Sequence, residues 1–228
     1  MRIAIVTLFP EFFNSPFSTS LLGKAMEKKI IEVEFYPLRR YAINRHGKVD
    51  DAPYGGGEGM VLRPEPIHRA LLDIKAKYET YVILLSPRGY LFHQRHAERL
   101  AKKAHLTLIC GHYEGVDERV AEHLVDESLC IGDYVLSGGE SAALVVIDAL
   151  ARLQPGYLGN PQSLREESFS REGYLEYPQY TRPAEYQGWK VPEVLLSGNH
   201  AQIARFRQEE AIKAWKKYRL EAKEKSFE

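Results

Sequence analysis

Tyr81-Val82-Ile83-Leu84-Leu85-Ser86-Pro87-Arg88-Gly89 reads as an apolar strand running straight into a loop. From Tyr81 to Leu85 no position is left for a polar, solvent-facing side chain, which suits a parallel sheet covered on both faces. The same arrangement recurs downstream. Leu106 to Cys110 is the next strand and ends at Gly111-His112-Tyr113-Glu114-Gly115, and Cys130-Ile131 runs into Gly132-Asp133-Tyr134-Val135-Leu136-Ser137-Gly138-Gly139. Upstream, Arg2 to Leu8 and Ile31 to Phe35 read as strands separated by a short helical segment, Leu21 to Lys29. Ile67, Ala70, Leu71 and Ile74 recur at i, i+3, i+4 and i+7, which predicts a helix with Pro64 and Pro66 confined to its start. Leu91 to Ala104 is a further predicted helix. Strands alternating with helices place the chain in the α/β class, with a mostly parallel sheet flanked by helices.

Ser137 and Glu140 stand three apart immediately before Ser141 to Leu150, the pattern of a capping box opening a helix. Beyond that helix the texture changes. Five prolines and four glycines fall between Gln154 and Pro192 with no sustained period, so a long connecting segment is expected. Ser197-Gly198-Asn199 then introduces a helix that packs through Ile203, Phe206 and Trp215. A domain break is placed around residues 160 to 170, with a smaller helical domain after it.

The chain has 228 residues, 44% apolar and 27% charged, ample for one sizeable core or a domain with a small appendage. The longest greasy stretch, Ala142 to Ile147, is too short to span a bilayer and reads as a buried element. Arg2 precedes a short apolar run, but Phe9-Pro10-Glu11 follows where a signal peptide would have a small-residue cleavage site, so a strand entering a core is expected there. Cys110 and Cys130 lie among apolar neighbours and form no CxxC pair; buried thiols in a reducing cytoplasm fit them better than a disulfide or zinc site. Basic and acidic residues balance at 31 each, so net charge announces no polyanionic partner. Two local excesses do exist. Lys24 to Lys48 carries seven basic residues against three acidic ones, and Gln202 to the end carries eight against five. Such patches suit either phosphate contacts or ordinary solvated surface.

Open parallel sheets bind ligands beyond the carboxyl ends of their strands. Here three such ends carry glycine, and although one glycine loop can be only a turn, three together bring backbone close to a bound group. None fits a familiar nucleotide signature. Gly55-Gly56-Gly57-Glu58-Gly59 lacks GxGxxG and precedes no GK[ST], which argues against a dinucleotide fold or an NTPase. The eight histidines form no HExxH or compact metal set. Ser86, Ser137 and Ser197 lack the GxSxG elbow of a hydrolase.

Those loops carry a resemblance. The chain resembles the bacterial tRNA (guanine-N1)-methyltransferases that modify position 37 beside the anticodon, the TrmD family of the SPOUT superfamily. The matching stretches are Leu8-Phe9-Pro10, Asp50-Asp51 with Pro53 to Met60, Leu85 to Gly89, Cys110 to Arg119, Ile131 to Glu140, Tyr180 to Pro183, and Leu195 to His200. They run in order from the first strand to about residue 215. The resemblance implies a deep trefoil knot in the sheet domain, which general topology rules would have rejected. It also implies a homodimer with active sites shared between subunits, and no membrane. Residues 1–160 would form the knotted S-adenosylmethionine-binding catalytic domain, residues 161–172 a linker carrying the general base, and residues 173–228 a small helical tRNA-binding domain.

By resemblance, S-adenosylmethionine is held by Leu85, Ser86 and Pro87 of the first loop and by Gly111, Tyr113 and Glu114 of the second. The third loop adds Ile131, Gly132, Tyr134, Leu136, Gly138 and Gly139. Guanine N1 carries a proton, so the site needs a base at N1 and a cation or donor at O6. Positioned proton transfer is worth about 10²–10⁴-fold in rate. The family's O6 partner falls on Arg152, a residue that could otherwise serve only as a cation at a helix C-terminus. Relatives usually present an aspartate before Ser-Phe; here Glu167 precedes Ser168-Phe169. Glutamate has nearly the same intrinsic pKa, about 4.3 against 3.9. Its extra methylene changes reach, and a 1 Å misplacement can cost about a hundredfold. Either the loop sits farther back or Glu166 shares the task. Backbone at Gly59 is expected to help hold the base, with Ser163, Arg165, Arg205 and Arg207 on the anticodon arm, and magnesium assists in relatives although no residue here names its site. Rival readings are a knotted methyltransferase acting on ribosomal RNA or a ribose hydroxyl, and a non-catalytic RNA-binding module.

Overall fold

The computed structural model describes residues 1–160 and 167–224. They fall into two compact units, Met1–Gly159 and Asn160–Glu228.

In the first unit, β1 (Arg2–Thr7) leads through two 3-10 turns, Pro10–Phe13 and Pro16–Ser18, into α1 (Ser20–Glu27) and β2 (Glu32–Pro37). A short ladder of β3 (Asp50–Asp51) and β4 (Val61–Leu62) precedes α2 (Pro64–Lys75) and β5 (Tyr81–Leu91). Then come α3 (Gln94–Leu100), β6 (His105–Cys110), α4 (Glu118–His123), β7 (Glu127–Cys130) and α5 (Glu140–Arg152). The main sheet has the order β2-β1-β6-β5-β7, parallel at every pairing. Strand β6 lies at its centre with all six residues buried.

Alternation along each strand builds two cores. Ile3, Ile5, Ile83, Leu85, Leu106 and Leu108 point to one face, where Leu22 of α1, Leu100 of α3 and Val146, Ile147 and Leu150 of α5 cover them. Ala4, Val6, Val82, Leu84 and Ile109 point to the other, beneath Ile67, Ala70, Leu71 and Ile74 of α2 and Val120 of α4. The periods of two and 3.6 thus meet in one layered α/β sandwich.

Five sequence expectations need correction. Strand β5 does not stop at Leu85: Leu85 and Tyr90 both pair with Leu129 of β7, and Leu91 pairs with Cys130, so Ser86–Gly89 is an excursion within a strand. Accordingly α3 starts only at Gln94, because Leu91 is in the ladder and the Phe92 amide donates to the Cys130 carbonyl at 2.7 Å. The Ser137/Glu140 capping box does not form; Gly139 is the N-cap, without a side-chain bond. The stretch Ala142–Ile147 is buried on one side only, since Val145 is 48% exposed, and Cys130 is half-buried beside the fully buried Cys110.

In the second unit, β8 (Glu185–Tyr186) and β9 (Trp189–Lys190) form a hairpin, followed by α6 (Glu193–Leu196) and α7 (His200–Glu224). Asn199 accepts the Gln202 amide at 3.2 Å and so opens α7. Ile203, Phe206 and Trp215 are half-buried along α7 and Ala211 is buried. No helix among the described residues is long and apolar enough to cross a membrane.

Candidate active site

At the carboxyl ends of β5, β6 and β7 a cavity of about 400 Å³ opens between three loops. The Ser86–Gly89 excursion forms one wall, Gly111–Gly115 the second, and the segment from Ile131 to Gly139 the third. Every one of the twelve residues singled out in these loops, from Leu85 to Gly139, lines it.

Close backbone packing fixes the second wall to the third. His112 and Gly138 form an antiparallel bridge, and the Gly139 amide donates to the Gly111 carbonyl at 2.8 Å. Gly139 has φ −76°, open to any residue, yet a Cβ there would lie 2.7 Å from Cys110 Cα and 2.8 Å from the Gly111 nitrogen. Space, not backbone conformation, demands glycine. Below this contact Glu140 is only 4% exposed, and its Oε1 accepts the Thr7 hydroxyl at 2.7 Å. Thr7 Oγ1 in turn accepts the Phe9 amide at 3.0 Å. This chain ties the end of β1 to the start of α5, satisfying a buried carboxylate that would otherwise be costly. The Cys110 thiol is pushed up by burial, with the Glu140 charge adding, so it stays protonated and is no nucleophile.

Ion pairs brace the rim. Arg88 reaches Glu118 at 2.6 Å, joining the first wall to α4. Asp117 caps α4 by accepting the Arg119 amide at 3.0 Å, and the Arg119 guanidinium grips the same carboxylate at 2.8 and 2.7 Å. That guanidinium holds the Asp117 carboxyl below the usual carboxylate range. Tyr113 sits in the left-handed region at φ +59°, a conformation that costs a non-glycine residue energy and recurs at ligand sites.

The glycine-rich stretch is sewn to the second wall. The Glu114 amide donates to the Met60 carbonyl at 3.0 Å, and the Leu62 amide to the Gly115 carbonyl at 2.9 Å. Gly59, at φ +81°, presses so close that a Cβ would lie 2.5 Å from the Glu114 side chain. Its backbone therefore stands beside a cavity-lining residue. Such a site can grip a small ligand through main-chain N–H and C=O groups, with few side chains in the way.

Comparison with known proteins decides the family. A family model described as tRNA (Guanine-1)-methyltransferase TrmD matches residues 1–225. The tRNA (guanine-N(1)-)-methyltransferase of Brevibacillus brevis is 55% identical over 225 residues, covering 99% of this chain and 92% of the relative. That of Dictyoglomus turgidum is 56% identical over 213 residues, covering 93% and 86%, and that of Dehalococcoides mccartyi 50% over 227 residues, covering 99% and 91%. The chain belongs to the tRNA (guanine-1)-methyltransferase family. It is therefore an enzyme, a methyltransferase.

Arg152, the O6 partner expected from this family, does not line the cavity. Arg152 is the last residue of α5, and a helix rising 1.5 Å per residue carries it roughly 15 Å from Ala142, the α5 residue that lines the cavity. No arginine side chain bridges that distance. Glu167 belongs to the second unit, where its carbonyl accepts the Ser170 amide at 3.1 Å and Ser168 Oγ accepts the Glu176 amide at 3.0 Å. Ser163, Arg165 and Glu166 lie outside the described residues. On α7, Arg205 pairs with Glu209 at 3.0 Å and Arg207 covers the Tyr177 ring at 4.8 Å. Sequence reasoning missed the Thr7–Glu140 bond, whose partners stand 133 positions apart with no local signal. Among the described residues, no group of three or more His, Cys, Asp or Glu side chains is arranged to hold a metal ion.

Proposed function

We propose that this enzyme transfers the methyl group of S-adenosylmethionine to N1 of guanosine 37 in tRNA. The observation that carries the reading is the cavity of about 400 Å³ walled by three strand-end loops, in a chain matched by the family over residues 1–225. That volume falls within the roughly 300–1,000 Å³ of small-molecule sites. Bare backbone at Gly111, Gly138 and Gly139 suits a ligand with adenine edges and a zwitterionic tail, and the twelve loop residues from Leu85 to Gly139 would hold it. When bound, S-adenosylmethionine supplies an electrophilic methyl group on a sulfonium.

The protein's task is to make the nucleophile. Glu167 takes the N1 proton as general base, freeing the lone pair, and Arg152 donates to O6, where negative charge grows. The Gly59 backbone orients the ring, and Ser163, Arg165, Arg205 and Arg207 bind the anticodon arm. Residues 1–160 act as the knotted donor-binding domain, with the chain threaded into a trefoil. Residues 161–172 carry the base, and residues 173–228 serve tRNA binding. Magnesium assists by offsetting charge near the base, and the enzyme works in the cytoplasm.

The length of α5 supports a homodimer with shared sites. Arg152 lies too far from its own chain's cavity and would serve the partner's. Val145 on α5, Leu21 on α1 and Phe12 on the 3-10 turn beside them are all exposed, and both of those elements pack against α5. Their apolar side chains suit a two-fold interface. The deciding experiment incubates unmodified tRNA with donor, magnesium and enzyme and maps the product by mass. One methyl group on guanosine 37 is expected; methylation of a ribose, of another base or of ribosomal RNA instead would overturn the reading.

A further inference from the structure

We propose that Tyr54 is a stacking platform for the unpaired nucleotide next to the methylated guanine. The inference rests on the reading of tRNA as substrate and adds a residue and a contact to it.

Residues 52–60 form a loop closed at its base by the β3–β4 ladder, in which Asp51 pairs with Val61 and Asp50 with Leu62. The base is braced by Arg63 and Lys48, which hold Asp51 at 2.7 and 2.9 Å. One flank of the loop is fastened to the cavity through Gly59 and Met60 against Glu114. The tip is different. Gly55, Gly56 and Gly57 all have positive φ, at +88°, +80° and +124°, and a Cβ on Gly55 or Gly56 would meet nothing within 4 Å. On this tip Tyr54 is fully exposed and buries no part of its ring in its own chain.

A tyrosine so placed gives up the burial its ring could gain. The other large exposed aromatics of the first unit, Phe12, Tyr90, Tyr113 and Tyr134, keep more of their surface covered. The anchored flank dictates where Tyr54 operates. Whatever its ring covers must lie near the cavity loop carrying Glu114, which is where the substrate base enters. Arg119, its guanidinium paired with Asp117, stands in the neighbourhood of Tyr54. Taking a guanine out of its stack strips its neighbour of a partner, and an aromatic ring replaces that loss for any base, since every base has a π-face. RNA is favoured over a protein partner because the ring stands beside the site where a nucleobase must be presented.

The test compares Tyr54→Ala and Tyr54→Phe with the wild-type enzyme. The alanine variant should raise the KM for tRNA by about fivefold to a hundredfold, the range of one base–aromatic stack, with donor affinity by calorimetry unchanged. The phenylalanine variant should stay within about twofold, since the ring and not the hydroxyl is required. A transcript with 2-aminopurine beside the target guanine should show quenching with wild-type and Tyr54→Phe enzyme and none with Tyr54→Ala. An unchanged KM for Tyr54→Ala, equal defects in both variants, or loss of dimer mass in Tyr54→Ala during sedimentation would overturn the proposal. Wild-type enzyme that leaves tRNA unmethylated would overturn the functional reading itself, a result separate from all of these.

Discussion

The cavity loops of the first unit meet one another with less than a methyl group of spare room, at Gly139 over Cys110 and at Gly59 over Glu114. The described residues of the second unit are held far more loosely: only Ala211 is fully buried, and Tyr180, Tyr186 and Trp189 are exposed. The contrast separates two ways of placing chemistry. The donor cavity is shaped by its own chain before any ligand arrives, so its cost is met during folding. The described residues from Glu167 onward draw little rigidity from a core of their own.

The sharpest way to break this contrast is Glu167→Gln. Its turnover should fall by about a hundredfold or more, while donor affinity by calorimetry stays at the wild-type value. Parallel loss of both would mean that the two units do not divide the work. Gly139→Ala should do the reverse, removing donor binding because its methyl group enters the Cys110–Gly111 backbone, and lowering stability by about 1–3 kcal/mol in urea unfolding. Wild-type donor affinity in that variant would show that the second and third walls can part. Thr7→Val keeps the shape of the side chain but strips the hydroxyl from Glu140; a loss of about 1–3 kcal/mol is expected, read from the same unfolding curves.

The smallest effect concerns His105, at the opposite end of the sheet. Its imidazole is buried, stacked on Tyr78 at 4.3 Å and bonded through Nδ1 to Thr80 at 2.7 Å, and burial lowers its pKa. The unfolded chain therefore takes up the proton first. Stability should be complete above the ordinary histidine pKa of about 6.5 and should decline as pH falls below it. Melting curves from pH 7.5 to 5 would show the decline, and His105→Gln should flatten it.

The parallel sheet and all three cavity walls were legible from residues because their signals are local: apolar runs, then glycine. The errors also had physical sources. Ser86-Pro87-Arg88-Gly89 looks like the end of a strand, and only pairing with a distant strand shows that β5 resumes. The Ser137–Glu140 spacing fits a capping box, but a threonine from the first strand claims the glutamate. Arg152 and Glu167 could not be found by pattern. An arginine closing a helix is commonplace, and a glutamate in an aperiodic segment carries no mark, so both entered through resemblance alone.

Leu129 pairs with β5 on both sides of the Ser86–Gly89 excursion, so that four-residue detour leaves and rejoins the sheet at a single partner. Lengthening or shortening it would not slide one strand past its neighbour, and the alternation that fills the two cores would survive. Evolution, or an engineer seeking to admit a bulkier alkyl donor, can therefore rewrite this wall of the pocket while leaving the scaffold's alignment untouched.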